Sequence, residues 1–262
     1  MTAEAHPASN NRRQRLERVA FRTSRLAEFC GIKELTAQFG QEPRSWPTII
    51  LKELLDNALD GCEELGIAPQ INVEVSTATG QITITDNGPG IPPETLAGVL
   101  DYTVRVSSRE AYVSPTHGQQ GNALKCIFAA AFALDGTRGV TLVETSGQAY
   151  RIVFEMDPVR REPRILPWEI TPSHVQNGTR ITVFWPGSAC HLLVDAEGQF
   201  VQIAQSFTTF NPHLSLRGRW NDREFVNVPA TNPGWHKWRG DHPTSSHWYN
   251  AQTFSLHRGT YR

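Results

Sequence analysis

Residues 48–65, TIILKELLDNALDGCEEL, constrain the fold of this chain more than any other stretch. Leu51, Leu54, Leu55, Ala58, Leu59 and Cys62 recur at helical spacing and form one apolar stripe. Such a stripe must be buried against a second layer. The next residues supply one. Ile71–Thr77 and Gln81–Asp86 alternate apolar and polar residues around Ala78-Thr79-Gly80, the pattern of a β-hairpin. Val140–Thr145, Ala149–Met156, Thr179–Trp185 and Leu214–Arg219 read as further strands. Pro93–Leu100, Gly121–Leu134 and Ala196–Phe207 read as helices, and Phe21–Phe39 as helical pieces broken near Gly31. The expected class is α+β: a two-layer sandwich with a mixed, mostly antiparallel sheet covered by helices on one face.

At about 150 residues per domain, 262 residues make one large domain or one domain with an extension. The expected division is an Arg-rich tail at 1–20, a domain at 21–216 and an extension at 217–262. The extension is rich in Trp, His, Pro and Asn and has no clear period. No apolar run reaches the length of a membrane span, and the first residues lack the apolar core of a secretory signal. Cys30, Cys62, Cys126 and Cys190 are scattered with no C-x-x-C pair, which argues against zinc and a disulfide framework and for the reducing cytoplasm. The net charge of −1 conceals basic ends. Residues 1–25 hold six Arg against two Glu, and residues 211–262 hold six Arg and one Lys against two Asp and one Glu. Basic ends around an acidic middle can meet phosphates, or be ordinary fluctuation along a chain.

Four motifs carry chemistry. Glu53, Asn57 and Asp60 fall on one side of the long helix, away from the apolar stripe. A carboxylate there can take a proton from water, and a carboxamide one turn away can hold a hard cation through its oxygen. A solvated helix face would look the same. Asp86-Asn87-Gly88-Pro89-Gly90-Ile91 puts an acceptor at a strand end beside a turn that permits close backbone approach. Such an Asp can accept from an exocyclic amine, or simply end a strand. His117-Gly118-Gln119-Gln120-Gly121-Asn122-Ala123-Leu124-Lys125 runs from glycines into a helix, where backbone N–H groups can face an anion. Lys125 can reach a phosphate or sit in solvent. The loop is not G-x-x-x-x-G-K-[ST], which excludes a P-loop. Asn177-Gly178-Thr179 opens a strand, where a Thr can bond a base or a water.

In this order the four motifs resemble the GHKL ATPases, the family of gyrase B, Hsp90, MutL and the histidine kinases. The resemblance runs from about Phe21 to Leu216. It implies a Bergerat sandwich holding ATP and Mg²⁺ under a lid. It further implies Glu53 as general base, Asn57 as Mg²⁺ ligand and Asp86 as reader of the adenine amine. Asp60, Gly88, Gly90, Ile91 and Thr179 would also line the ATP site. The lid and the helix after it would contribute Ser107, Ser108, Gly118, Gln119, Gln120, Gly121, Asn122, Ala123, Leu124 and Lys125. Within the family, LKELLDNALDGCEELGIAPQI and HGQQG look most like the B subunit of type IIB topoisomerases. That resemblance implies an ATP-dependent homodimer, a Spo11-like or topoisomerase VI A-type cleavage subunit as partner, double-stranded DNA as a further partner, and no membrane. Two departures stand out. The lid continues N-A-L, as in MutL, and 262 residues leave no room for the helix-two-turns-helix and transducer regions of that subunit. A fragment, or a reduced relative, is therefore expected. The rivals are a MutL- or MORC-like clamp and a nucleotide-binding module without turnover. Trp235, Trp238, His242, His247, Trp248 and Tyr249 interleave with Lys237 and Arg239; packing against the ATPase body is their expected role, with base stacking the alternative.

Overall fold

The computed structural model describes residues 25–102 and 122–237. The chain begins with two short helices, α1 (Ala27–Cys30) and α2 (Ile32–Phe39), and then enters α3 (Trp46–Glu64). Pro47 lies in the first turn of α3, where its missing N–H costs nothing. The helix stops at Leu65; Gly66 follows in the left-handed region, and the Ile67 N–H returns to the Cys62 carbonyl at 2.9 Å. The strands β1 (Gln70–Ser76) and β2 (Gln81–Asp86) form the expected hairpin, antiparallel with Ile71 opposite Asp86. After them come α4 (Pro93–Leu100), α5 (Ala123–Asp135), β3 (Arg138–Thr145) and β4 (Gln148–Met156). Then follow β5 (Pro163–Ile165), β6 (Glu169–Pro172), β7 (Thr179–Phe184), α6 (Cys190–Val194), α7 (Glu197–Phe210), β8 (Ser215–Trp220) and β9 (Arg223–Val228).

One nine-stranded sheet runs β5-β4-β3-β7-β2-β1-β8-β9, with β6 sharing the outer side of β4. Only the β1–β8 pair is parallel, so the sheet is mixed and mostly antiparallel. β1 buries Ile71, Val73 and Val75 and exposes Gln70, Asn72 and Glu74, the mark of a sheet covered on one face. The helices α3, α5 and α7 contact β2, β3 and β8. Between the layers lie Leu51, Leu54, Leu55 and Leu59 of the expected stripe, joined by Trp46, Phe128, Phe132, Phe154 and Phe200. The class is therefore α+β, as the patterning indicates.

Two features differ from the sequence reading. Position 216/217 is not a structural boundary: it falls inside β8, and β9 extends the sheet to Val228. The period of β9 is hidden because it is an edge strand with few buried positions. The strands β5 and β6 are three and four residues long, too short to show a period. The apolar helix α5 buries every residue from Lys125 to Ala133 and so has no amphipathic stripe.

Candidate nucleotide-binding site

β2 delivers Asp86 to the end of the sheet beside the start of its antiparallel neighbour β7. The Asp86 Oδ1 accepts from the Gly88 N–H at 2.8 Å and from the Thr179 N–H at 3.1 Å. These bonds fasten the loop to the next strand. Oδ2 makes no hydrogen bond among the described residues and is left for another donor. Burial raises the carboxyl above its ordinary range, with the two backbone bonds pulling partly back.

Three glycines let the backbone of this corner pack closely. Gly178 has φ +74°, and a Cβ there would lie 2.0 Å from the Asp86 carbonyl oxygen. Gly90 has φ +82°, and a Cβ would lie 2.6 Å from the Thr145 Oγ1. A Cβ on Gly88 would approach Asp86 Oδ1 to 3.0 Å and Cys62 Sγ to 3.3 Å. Thr145, fully buried at the end of β3, ties this corner together. Its hydroxyl accepts from the Ile91 N–H at 3.0 Å and donates to the Gly178 carbonyl at 3.2 Å. Sequence reading misses Thr145, since a β-branched residue at a strand end looks like ordinary strand.

α3 closes the site from the helical layer. Gly61 lies against the Pro89 ring and Cys62 against Asn87, whose Oδ1 is 3.6 Å from the thiol. Burial, helped by the charges of Asp86 and Glu63, pushes the Cys62 thiol up to about 12, so it stays protonated. Glu53 stands two turns back, with Lys52 Nζ 3.8 Å from its Oε1. It also lies near the first turn of α5: burial first, then the Glu53 charge, lifts the Cys126 thiol to about 12. Between them is Asn57, whose Nδ2 is buried with no hydrogen-bond partner among the described residues. An amide flip exchanges nitrogen for oxygen with little change of shape, so an oxygen can equally occupy this position. A buried carboxamide end without a partner, one turn from a carboxylate, fits a site that receives a hydrated cation and phosphates.

Asp60 does not share an open face with Glu53 and Asn57: it is buried, and its Oδ1 meets Lys237 Nζ at 3.2 Å. Lys125 is neither solvated nor extended from the helix. It is 2% exposed, its Nζ donates to the Asp101 carbonyl, and it lies 5.2 Å above the Tyr102 ring. Burial lowers its pKa. Asn122 caps α5 with helical backbone and no side-chain cap bond; Ala123 and Leu124 form the first turn. Thr179 presents its backbone N–H to Asp86, and its own side chain is buried. Ser107, Ser108, Gly118, Gln119, Gln120 and Gly121 lie outside the described residues, as do residues 1–20 and the aromatics from Trp238 onward.

The profile of the histidine kinase-, DNA gyrase B- and HSP90-like ATPases matches residues 44–188, more than half of the chain. The chain belongs to this family. The match opens just before α3 and closes just after β7, so it contains every element of the corner around Asp86. Among relatives, this GHKL domain is similar to the B subunit of type 2 DNA topoisomerase 6 from Archaeoglobus fulgidus. They are 28% identical over 171 residues, which is 64% of this chain and 28% of that one. Its counterpart from Methanosarcina mazei is 35% identical over 161 residues, 60% of this chain and 26% of that one. The GHKL chain thus spans about a quarter of the length of these relatives. Solved structures that resemble it include the Aquifex aeolicus MutL ATPase domain complexed with ADP. There the TM-score is 0.45 and the identity 18%, over 69% of this chain and 62% of that one. The ATPase region of Saccharomyces cerevisiae topoisomerase II gives a TM-score of 0.45 at 16% identity, over 69% and 48%.

Proposed function

We propose that this GHKL domain binds ATP with Mg²⁺ and hydrolyses it slowly, in the manner of a topoisomerase VI B-type subunit. The observation that carries this reading is the state of Asp86. Its Oδ1 is held by two backbone amides, its Oδ2 is left for a donor, and glycines let the surrounding backbone pack closely. The exocyclic amine of adenine suits that oxygen. Guanine would present a carbonyl there, oxygen against oxygen.

Glu53 is the group that takes a proton from the attacking water. Asn57 offers the carboxamide that Mg²⁺ accepts as a ligand, and the bound ion would offset charge on the phosphates. Backbone N–H groups of Gly118–Gly121 would take the charge that develops as the phosphate leaves. The relatives from topoisomerase 6 support two further steps. ATP would hold two copies together, and the dimer would gate double-stranded DNA or a topoisomerase VI A-type cleavage subunit. That role belongs in the cytoplasm, at the nucleoid. Among the described residues no helix is long and apolar enough to cross a membrane.

The test is Glu53→Ala. ATP binding should stay nearly intact while phosphate release at saturating ATP falls by about 10²–10⁴-fold, the usual contribution of a general base. Equal turnover in variant and parent would remove Glu53 from this role.

A further inference from the structure

A cluster of buried charges lies beyond the residues assigned to the site. After β9 the chain turns back over Pro212, whose carbonyl accepts from the Thr231 and Asn232 N–H groups, both at 2.8 Å. This places Trp235 on the ring of His213, with centroids 4.8 Å apart. Lys237 then enters α3 from outside. Its Nζ lies 3.2 Å from Asp60 Oδ1 and 3.4 Å from Glu63 Oε2, and its side chain is 15% exposed. The other oxygen of Glu63 is 3.0 Å from His213 Nε2.

The two carboxylates held by Lys237 bracket Gly61 and Cys62. Both touch the Asn87–Pro89 loop following Asp86. Asn87 is itself fixed, accepting from the Gln70 N–H at 2.8 Å and donating to the Ala68 carbonyl at 3.0 Å. The loop that carries the Gly88 N–H to Asp86 is therefore held between this helical turn and the start of β1.

We propose that Lys237 is a positioning residue for the nucleotide site: by clamping Asp60 and Glu63 it seats Gly61 and Cys62 against the Asn87–Pro89 loop and sets the Asp86 acceptor for adenine. This rests on the nucleotide reading of the site. The strap 231–237 is then the route by which whatever follows it in the chain is coupled to the nucleotide. By linkage the coupling runs both ways: nucleotide tightens the strap, and a loosened strap weakens nucleotide binding.

The experiment is calorimetry of ADP and of adenosine on the full chain and on Lys237→Met, which keeps the stem and removes the charge. Both ligands should bind about tenfold more weakly to the variant, within the usual span of coupling between two separate sites. Lys237→Arg should recover part of the loss. In an Asp86→Ala background the same substitution should have little further effect, because the adenine contact it positions is already gone. A variant that melts at lower temperature but binds ADP as the parent does would make Lys237 a stabilising residue only and overturn the inference. A parent that binds neither ligand would overturn the nucleotide reading itself, and this inference with it. Hydrogen exchange on the parent answers without any variant. ADP should slow exchange of the amides in 231–237 as well as in 86–91; slowing at 86–91 alone would overturn the coupling.

Discussion

Asp86 is placed at a cost. Burial raises its carboxyl pKa in the fold, so ionising it costs more there than in the unfolded chain. The stability tied to this proton is present below the ordinary carboxylate pKa and is lost as pH rises through the folded value. Asp86→Asn keeps an Oδ1 for the Gly88 and Thr179 amides and removes the charge. It then turns an NH₂ toward the place proposed for the adenine amine, donor against donor. The expected outcome is opposed effects. Thermal melting at pH 7 without nucleotide should show a gain on the order of 1 kcal/mol, and the parent's loss of stability above pH ~4 should flatten. ADP affinity should fall by roughly 1–3 kcal/mol. A destabilised variant with unchanged affinity would contradict both parts.

At the scale of elements, α4 and α5 are joined around residues 103–121. Lys125 Nζ donates to the Asp101 carbonyl, and the Tyr102 hydroxyl donates back to the Lys125 carbonyl at 2.9 Å. Tyr102 also packs edge-on to Phe29 and Phe154, with centroids 5.0 and 6.0 Å away. The start of α5 is thereby pinned to the chain that leaves α4. The long apolar stem of Lys125 fills core volume as well as making this bond. Lys125→Ala should cost about 2–4 kcal/mol in urea unfolding, the range for emptying a large buried side chain. Lys125→Met should recover much of that through packing. If Lys125→Ala left stability unchanged and abolished nucleotide binding, the side chain would serve phosphate after all.

Among the described residues, the sheet offers little for pairing with a second copy. One edge carries Pro163 in β5 and Pro172 in β6, which lack N–H donors. The other is β9, where Arg223 and Glu224 are exposed. A second copy is therefore expected to join by another route. The proposed one is the Arg-rich N-terminal segment, once nucleotide has closed the site. Light scattering should report a monomer without nucleotide and a dimer with a non-hydrolysable ATP analogue and Mg²⁺. Removing residues 1–20 should abolish the shift. An unchanged mass, or a dimer that survives the deletion, would refute the crossing segment.

Much of the architecture was legible without coordinates. The stripe of α3, the alternation of β1 and β2 and the order of the four motifs are local signals, set by residue spacing and turn chemistry. They led to the α+β class, the Asp86 loop and the family. Tertiary structure decided the rest. Asp60 looks like a third polar residue on an open face, yet its partner Lys237 is 177 residues away, and only the return of the chain after β9 brings them together. Thr145 ties three segments through one hydroxyl because β3 and β7 are neighbours, which no spacing within β3 reveals. Lys125 reads as a lysine that reaches a phosphate or solvent, and it is buried, because α5 is enclosed nearly all round. Local pattern speaks to which face of an element is apolar; what covers that face, and which charges meet beneath the cover, depends on how distant parts of the chain close on one another.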